Sequence, residues 1–219
     1  MFEAEARWLR RALEAFPPER LSPLLNLGSS SGRVREIVQP WIEREVLCPL
    51  RERSVEIVHV DMRDAPGVDV RADLTDPGDM RRLRVLRPTA LLCCNLLEHV
   101  VEPERLAQQC LELLPTGGLA FVTVPFSYPH HRDPIDTMYR PSPTELRELF
   151  TGARLLDGMI LGAGVSYRDA LRERPWILLR HVGRFPVPFL SFEKWKRSMA
   201  HLYWLVNEYR ISCAIFEKA

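Results

Sequence analysis

The stretch that decides the fold is Leu24-Leu25-Asn26-Leu27-Gly28-Ser29-Ser30-Ser31-Gly32. Its first four residues are mostly apolar and predict a short buried strand, and the small residues after them predict a loop. Residues 33–47 then have a helical pattern, which Pro40 bends or interrupts. Small loop residues let a ligand approach the backbone closely, and amides at a helix start can hold a carboxylate or a hydroxyl.

Strand and helix patterns alternate along the rest of the chain. Further strands are predicted at 55–60, 68–70, 90–94, 119–124 (ended by Pro125), 153–161 and 210–217. Helices are predicted at 2–15 within an N-terminal segment 1–18, and at 77–86, 102–114, 143–150 and 192–207. This order predicts an α/β fold, with a mostly parallel sheet covered by helices on both faces. We expect one domain over 1–219, with a helical insertion or cap at 164–207.

Composition narrows the function classes. The chain has 30 Lys and Arg against 29 Asp and Glu, a net charge of +1, which does not favour a nucleic-acid partner. The number of cysteines, five, is odd and their spacing does not fit a zinc framework, so reduced thiols in the cytoplasm are expected. Charged residues and prolines interrupt the apolar stretch 176–190, and the first residues do not resemble a signal peptide, so no membrane span is expected.

Two acidic residues stand where parallel-sheet proteins bind ligands, just beyond the strands. Asp61 closes the second strand, and a carboxylate there can accept hydrogen bonds from the vicinal hydroxyls of a ribose. Asp73 follows the third strand and could accept from an adenine amino group. Each also has a simpler interpretation: Asp61 as an exposed strand end, and Asp73 as a turn or helix cap.

Two later motifs carry a resemblance to a known family. Asn95-Leu96-Leu97-Glu98-His99-Val100, followed by Leu113-Leu114-Pro115-Thr116-Gly117-Gly118, resembles the "LEHV" and "L-x-PGG" elements of class I S-adenosylmethionine (SAM)-dependent methyltransferases that act on small molecules. A loop of that family after the fifth strand is similar to Val124-Pro125-Phe126 with His130, Pro134, Asp136, Tyr139-Arg140 and Pro143. The similarity spans about residues 24–150.

The resemblance implies a Rossmann-like, seven-stranded sheet with an antiparallel last strand, and SAM as the cofactor. It implies methyl transfer to a small-molecule acceptor, such as a sugar or a natural-product intermediate. The residues expected at the cofactor are Asn26, Gly28, Ser30, Gly32, Asp61, Met62, Asp73, Leu74, Asn95 and Leu96.

The first loop departs from the family pattern at two positions. The family usually has an acidic residue at the position of Asn26 and glycine at the position of Ser30. Asn26 keeps an acceptor but lacks the charge that would pair with the SAM amino group. These departures keep an alternative open, a degenerate methyltransferase fold with a binding or assembly role and no turnover. A nicotinamide site is disfavoured because the loop lacks G-x-G-x-x-G spacing.

The acceptor side offers several candidates. His99, His130 and His131 are candidate bases because imidazole titrates near neutral pH, and Tyr139 and Arg140 either bind substrate or fix their loop. No metal site is predicted. The ligand types of the cluster His130, His131, Asp133 and Asp136 suit a metal, but their spacing is not fixed. The aromatic-rich region 164–207 is expected to form a substrate lid, a cap over the sheet or a homodimer surface.

Overall fold

The computed structural model describes residues 1–131, 135–185 and 192–219, so Asp133, Pro134 and residues 186–191 lie outside the described chain. The strands of the described chain are β1 Leu24–Leu27, β2 Ile57–Asp61, β3 Val70–Arg71, β4 Ala90–Cys94, β5 Leu119–Ser127, β6 Ala153–Ser166 and β7 Glu208–Lys218. Together these described strands form a seven-stranded sheet in the order β3-β2-β1-β4-β5-β7-β6.

The pairing of the strands confirms the predicted fold class. β1 pairs in parallel with both β2 and β4, β2 pairs in parallel with β3, and β4 with β5. The last strand, β7, runs antiparallel to both of its neighbours, β5 and β6. Leu27 of β1 is in register with Val60 of β2 and with Cys93 of β4, so these three strands end at the same edge of the sheet.

Helices cover both faces of the sheet, as predicted. They are α1 Glu3–Glu14, α2 Pro40–Ile42, α3 Cys48–Glu52, α4 Pro77–Val85, α5 Pro103–Leu113, α6 Pro143–Leu149, α7 Tyr167–Glu173, α8 Trp176–Arg184 and α9 Phe192–Leu202. One apolar core lies between the sheet and α4, α5 and α6. A second core on the opposite face contains residues of α1, α3 and α7. Of the helices described, none is both long and apolar enough to cross a membrane.

The helix predicted at 2–15 is found as α1, Glu3–Glu14, so it does not fill the N-terminal segment 1–18, and Pro18–Arg20 forms a 3₁₀ turn. The helix predicted at 33–47 is interrupted at Gln39, directly before Pro40, as the missing proline N–H requires. The pieces Val34–Val38 and Glu43–Leu47 on either side of α2 are wound as π-helix, and α3 extends the helical segment to Glu52.

Several strand boundaries differ from the prediction. Pro125 does not end β5, because a register shift between Pro125 and Ser127 accommodates the proline while pairing with β7 continues. β3 is Val70–Arg71 rather than 68–70. β6 continues to Ser166, so the predicted insertion at 164–207 begins on a strand, and its helices α7, α8 and α9 follow.

A buried carboxylate fixes α1 to the sheet. Glu5 is 0% exposed. Its Oε1 accepts hydrogen bonds from Asn95 Nδ2 at 2.7 Å and from Thr123 Oγ1 at 2.6 Å, and its Oε2 accepts from the backbone N–H of Phe2 at 3.0 Å. Because Thr123 lies on β5 and Asn95 directly follows β4, this one side chain joins the N-terminal helix to the edge where the strands end.

We expect Glu5→Ala to lower the free energy of unfolding by about 3 kcal/mol, because it leaves the partly buried Asn95 amide and the buried Thr123 hydroxyl without an acceptor. Urea denaturation measures the change. Glu14→Ala is the matched control, since Glu14 lies on the same helix in an exposed ion pair with Arg10. Equal denaturation midpoints for the two variants would contradict the assigned role of Glu5.

Candidate functional site

A cleft of about 720 Å³ opens where β1, β2 and β4 end. Its walls come from the loops that follow these strands, from the loop after β3, and from the end of β5 with the residues beyond it. The sequence-predicted residues that line it are Asn26, Gly28, Ser30, Asp61, Met62, Asp73, Leu74, Asn95, Leu96, His99 and His131. The sheet therefore brings most of the predicted site into one cavity.

The loop after β1 approaches the cleft through its backbone. Gly28 has φ +64°, and a Cβ on it would lie 2.9 Å from Leu96 Cδ1, so this position suits glycine. Ser30 also has a positive φ, +57°, although it carries a side chain. The family pattern places glycine here, and the structure gives the reason, because the left-handed conformation costs an L-residue about 1–2 kcal/mol.

Asp61 holds this loop against the end of β2. Its Oδ2 accepts a hydrogen bond from the Ser30 N–H at 2.8 Å, and its Oδ1 accepts from the Arg63 N–H at 2.9 Å. The carboxylate is buried and still lines the cleft. Each carboxylate oxygen has two acceptor positions, so Asp61 can accept from ligand hydroxyls while it keeps both backbone bonds.

Asn26 lines the cleft, and its amide nitrogen is engaged by a neutral histidine. Its Nδ2 lies 3.1 Å from Nδ1 of His59 on β2. Burial, and next the charge of Arg35, lower the pKa of His59 to about 4. The ring is therefore neutral near pH 7, and its Nδ1 can accept the hydrogen bond from the Asn26 amide.

The buried Arg35 stabilises the loop after β1 through hydrogen bonds to its backbone. Arg35 donates to the carbonyl oxygens of Ser29 at 3.0 Å, Ser30 at 2.7 Å and Gly67 at 2.6 Å. Burial lowers the pKa of its guanidinium. Arg35 also lines the cleft, so a positive group lies beside the part of the loop that the resemblance assigns to the methionine end of SAM.

The loop after β3 gives the cleft an apolar side. Ala72, Leu74, Leu96 and Leu106 line it there, a surface suited to a flat aromatic ring. Asp73 lies at its margin, and its Oδ1 accepts from both the N–H and the hydroxyl of Thr75, at 2.8 and 2.7 Å. Asp73 thus makes the turn contacts of its simpler interpretation and also lines the cleft.

The end of the cleft away from the first loop, lined by residues that follow β4 and β5, carries a carboxyl group and two imidazoles. Glu98 is 1% exposed, and among the described residues neither of its carboxylate oxygens accepts a hydrogen bond. Burial raises the pKa of Glu98 to about 8. His99 Nε2 lies 3.8 Å from Glu98 Oε1, and the His99 and His131 rings meet edge to face with centroids 5.2 Å apart.

Aromatic rings line the same end of the cleft. Tyr128 lies 5.4 Å from the His131 ring, 5.7 Å from Phe2 and 4.7 Å from Tyr209, measured between ring centroids. Phe2 and Tyr128 line the cleft with His131. These contacts give a mixed aromatic and imidazole wall beside the buried Glu98, a surface suited to a small organic molecule.

Four predicted site residues, Gly32, His130, Tyr139 and Arg140, are not part of the cleft wall as far as the chain is described. The Gly32 N–H instead donates to Pro66 O at 2.8 Å, and His130 is exposed. Arg140 Nη2 donates to Asp136 Oδ2 at 2.7 Å, and Arg140 also contacts the Tyr139 carbonyl. Arg140 therefore fixes its own loop, one of the two roles expected for it.

Arg35, Glu98 and Tyr128 are among the cleft residues that sequence reasoning missed. Glu98 is part of the "LEHV" motif, so the signal was present, but its burial depends on how the 3₁₀ turn Leu97–His99 packs under the cleft. Arg35 belongs to a helical pattern in which an arginine normally faces solvent. Tyr128 follows a proline that was expected to end its strand.

No protein-family model matches the sequence, and no curated protein matches it. Solved structures do match over nearly the whole chain. A protein assigned as a sarcosine dimethylglycine methyltransferase from Galdieria sulphuraria is 14% identical, with a TM-score of 0.57, over 98% of this chain and 84% of that one. Coclaurine N-methyltransferase bound to N-methylheliamine and S-adenosylhomocysteine (SAH) is 15% identical, with a TM-score of 0.52, over 95% and 70%.

A third match is the [4+2]-cyclase SpnF, 16% identical, with a TM-score of 0.50, over 96% of this chain and 81% of that one. The strand order and these matches together show that the chain has the fold of the class I SAM-dependent methyltransferases. Identities of 14–16% establish a likeness of fold, and activity has to be argued from the site.

The described residues fit the adenosine part of SAM. Asp61 offers acceptor positions at the end of β2, Gly28 removes the Cβ that would block a close approach, and the wall beside Asp73 is apolar. The first loop, which would face the methionine end of SAM, departs from the family pattern. Asn26 is hydrogen-bonded to His59, and the guanidinium of Arg35 donates to the loop carbonyls.

We expect Ser30→Gly to raise the free energy of unfolding by about 0.5–1 kcal/mol, because relief of the left-handed strain exceeds the added freedom of the unfolded chain. Urea denaturation again gives the value. Ser31→Gly is the control: Ser31 does not have a positive φ, so the same change should lower the stability. A loss of stability in Ser30→Gly would show that the loop is not strained at this position.

Proposed function

We propose that this protein is a SAM-dependent methyltransferase that acts on a small-molecule acceptor. The observation that carries the proposal is the position of Asp61, a buried carboxylate at the end of β2 that faces a cleft and also anchors the loop of Gly28. This arrangement suits a nucleoside ligand held through its ribose hydroxyls, as in dinucleotide-binding sheets. The fold shared with methyltransferases supports the same cofactor.

The chain's own residues would bind and orient the cofactor. Asp61 would accept from the ribose hydroxyls, Leu74 and Leu96 would pack on the adenine, and Gly28 would admit the ligand against the loop backbone. Bound SAM supplies an electrophilic methyl group on a sulfonium. Transfer to a nucleophile depends mainly on position, so a rigid wall that aligns the acceptor and excludes water is the chief requirement.

The acceptor would enter at the end lined by Tyr128, His99 and His131. Aromatic faces suit a sugar ring or the apolar skeleton of a natural product, and the imidazoles can contact a hydroxyl. The cleft volume of about 720 Å³ favours a small molecule. The surface position of His130, outside the cleft wall, makes it a weaker candidate than His99 or His131.

A second candidate function is a methyltransferase fold that binds a ligand without methyl transfer. Two observations at the first loop favour it. The cation Arg35 beside the loop would repel the ammonium and sulfonium of SAM, and the neutral Asn26 lacks the charge by which an acidic residue would attract them. The fold itself permits other chemistry, because SpnF, which shares it, is described as a [4+2]-cyclase.

The remaining sequence predictions concern location and partners. A cytoplasmic protein without a nucleic-acid partner stays our expectation from the composition. A homodimer through 164–207 also stays a prediction. It is supported by exposed apolar side chains of α8 and the residue after it, namely Trp176, Leu178, Leu179, Val182 and Phe185, because exposed apolar patches commonly mark contact surfaces.

We predict that Asp61→Asn weakens SAH binding about 10- to 100-fold, because it removes a charged acceptor worth about 1.5–3 kcal/mol to bound hydroxyls. The asparagine oxygen can still accept from the Ser30 N–H, so the first loop should keep its anchor, although the Arg63 N–H loses its acceptor. Isothermal titration calorimetry with SAH and with SAM gives the affinities.

Asp64→Asn is the matched control for this experiment. Asp64 is exposed in the loop that follows β2 and lies outside the cleft wall, so its loss should leave the affinity unchanged. Equal affinities of wild type and Asp61→Asn for SAH would remove Asp61 from the ribose site and with it the main support for the proposed function.

A further inference from the structure

We propose that Glu98, His99 and His131 form a binding site for a divalent transition-metal ion at the acceptor end of the cleft. One carboxylate oxygen and one ring nitrogen from each histidine lie within 4.8 Å of one another. All three residues line the cleft, so an ion held by them would remain accessible to a molecule bound there. The sequence predicts no metal site, and its cluster of possible ligands, His130, His131, Asp133 and Asp136, does not include Glu98.

The buried carboxylate of Glu98 is the first observation that supports a bound ion. It is 1% exposed, and neither carboxylate oxygen accepts a hydrogen bond from the described residues. Buried polar groups without partners are rare because they lose hydration without replacement. His99 Nε2 lies 3.8 Å from Glu98 Oε1, too far for a hydrogen bond but close to the separation of two ligands on one metal ion.

Both histidines are held in the manner of metal ligands. The Nδ1 of His99 contacts the carbonyl oxygen of Ile135, which leaves its Nε2 on the side of Glu98. The Nδ1 of His131 lies 3.1 Å from Oδ2 of Asp136. Metal-binding histidines commonly have one ring nitrogen beside a carbonyl or a carboxylate, which fixes the ring orientation.

The carboxylate of Asp136 is itself fixed. Its Oδ2 accepts hydrogen bonds from the His131 N–H at 3.0 Å and from Arg140 Nη2 at 2.7 Å. These contacts give Asp136 and Arg140 a positioning role behind His131. They also explain why Arg140 can matter to the site without reaching the cleft wall.

The donor set indicates which ion is preferred. Two imidazoles and one carboxylate suit Zn²⁺, Fe²⁺ or Co²⁺, whereas Mg²⁺ prefers oxygen donors and keeps its own water. Three protein ligands leave further coordination positions open. If the proposed function holds, an acceptor with adjacent oxygen atoms could take these positions, and the ion would lower the pKa of a coordinated hydroxyl.

Direct ion binding tests the proposal without SAM, so it can fail or succeed independently of the proposed function. We would titrate Co²⁺ into the full chain, without a polyhistidine tag and in a Cys48→Ser background that removes a partly exposed thiol. Visible absorption follows Co²⁺ coordination, and competition with Zn²⁺ and Mg²⁺ follows the ion preference. We expect one Co²⁺ per chain, displaced by Zn²⁺ and not by equimolar Mg²⁺.

Three variants locate the ion. Glu98→Gln keeps the side-chain shape and His131→Ala removes one imidazole, and each should weaken Co²⁺ binding at least tenfold. His130→Ala is the matched control, since His130 is the adjacent exposed histidine and should leave binding unchanged. Circular dichroism checks that each variant folds. No stoichiometric Co²⁺ binding by the wild-type site, or equal affinity in Glu98→Gln, would overturn the proposal.

Discussion

The parallel pairing of β1 with both β2 and β4 is the constraint on which the rest of the structure depends. It places the ends of three strands at one edge, with Leu27 beside Val60 and Cys93. The residues that follow these strands must then share one cleft, whatever their distance in sequence. The hydrogen bond from the Ser30 N–H to Asp61, across 31 positions in the chain, is a direct consequence of this pairing.

The buried carboxylate of Glu5 attaches the N-terminal helix α1 to that edge of the sheet. By accepting from Asn95 and Thr123, Glu5 fixes the loop after β4 in a conformation where Asn95 has φ +50°. Met1 and Phe2 consequently line the cleft beside Tyr128. The packing of α1 thus shapes the acceptor end of the site as well as one face of the core.

Local patterns were sufficient to predict how strands and helices alternate along the chain, and that Gly28 and Asp61 lie at the ends of β1 and β2. The family resemblance supplied the antiparallel last strand. Local patterns were insufficient where tertiary contacts decide the outcome. Arg35 and Glu98 are buried because of segments far away in sequence, and charged residues are normally expected on the surface. Pro125 lies within β5 because the antiparallel partner β7 continues past the register shift, which no local signal reveals.

The central claim is that the cleft at the ends of β1, β2 and β4 binds the adenosine part of SAM, despite the changed methionine end. The most direct measurement is thermal unfolding of the wild-type chain with SAH at about 100 times its Kd. Such a ligand adds about 2.7 kcal/mol, a rise of roughly 5–10 °C in Tm for a chain of this size. The account predicts this rise. An unchanged Tm at millimolar SAH would contradict it.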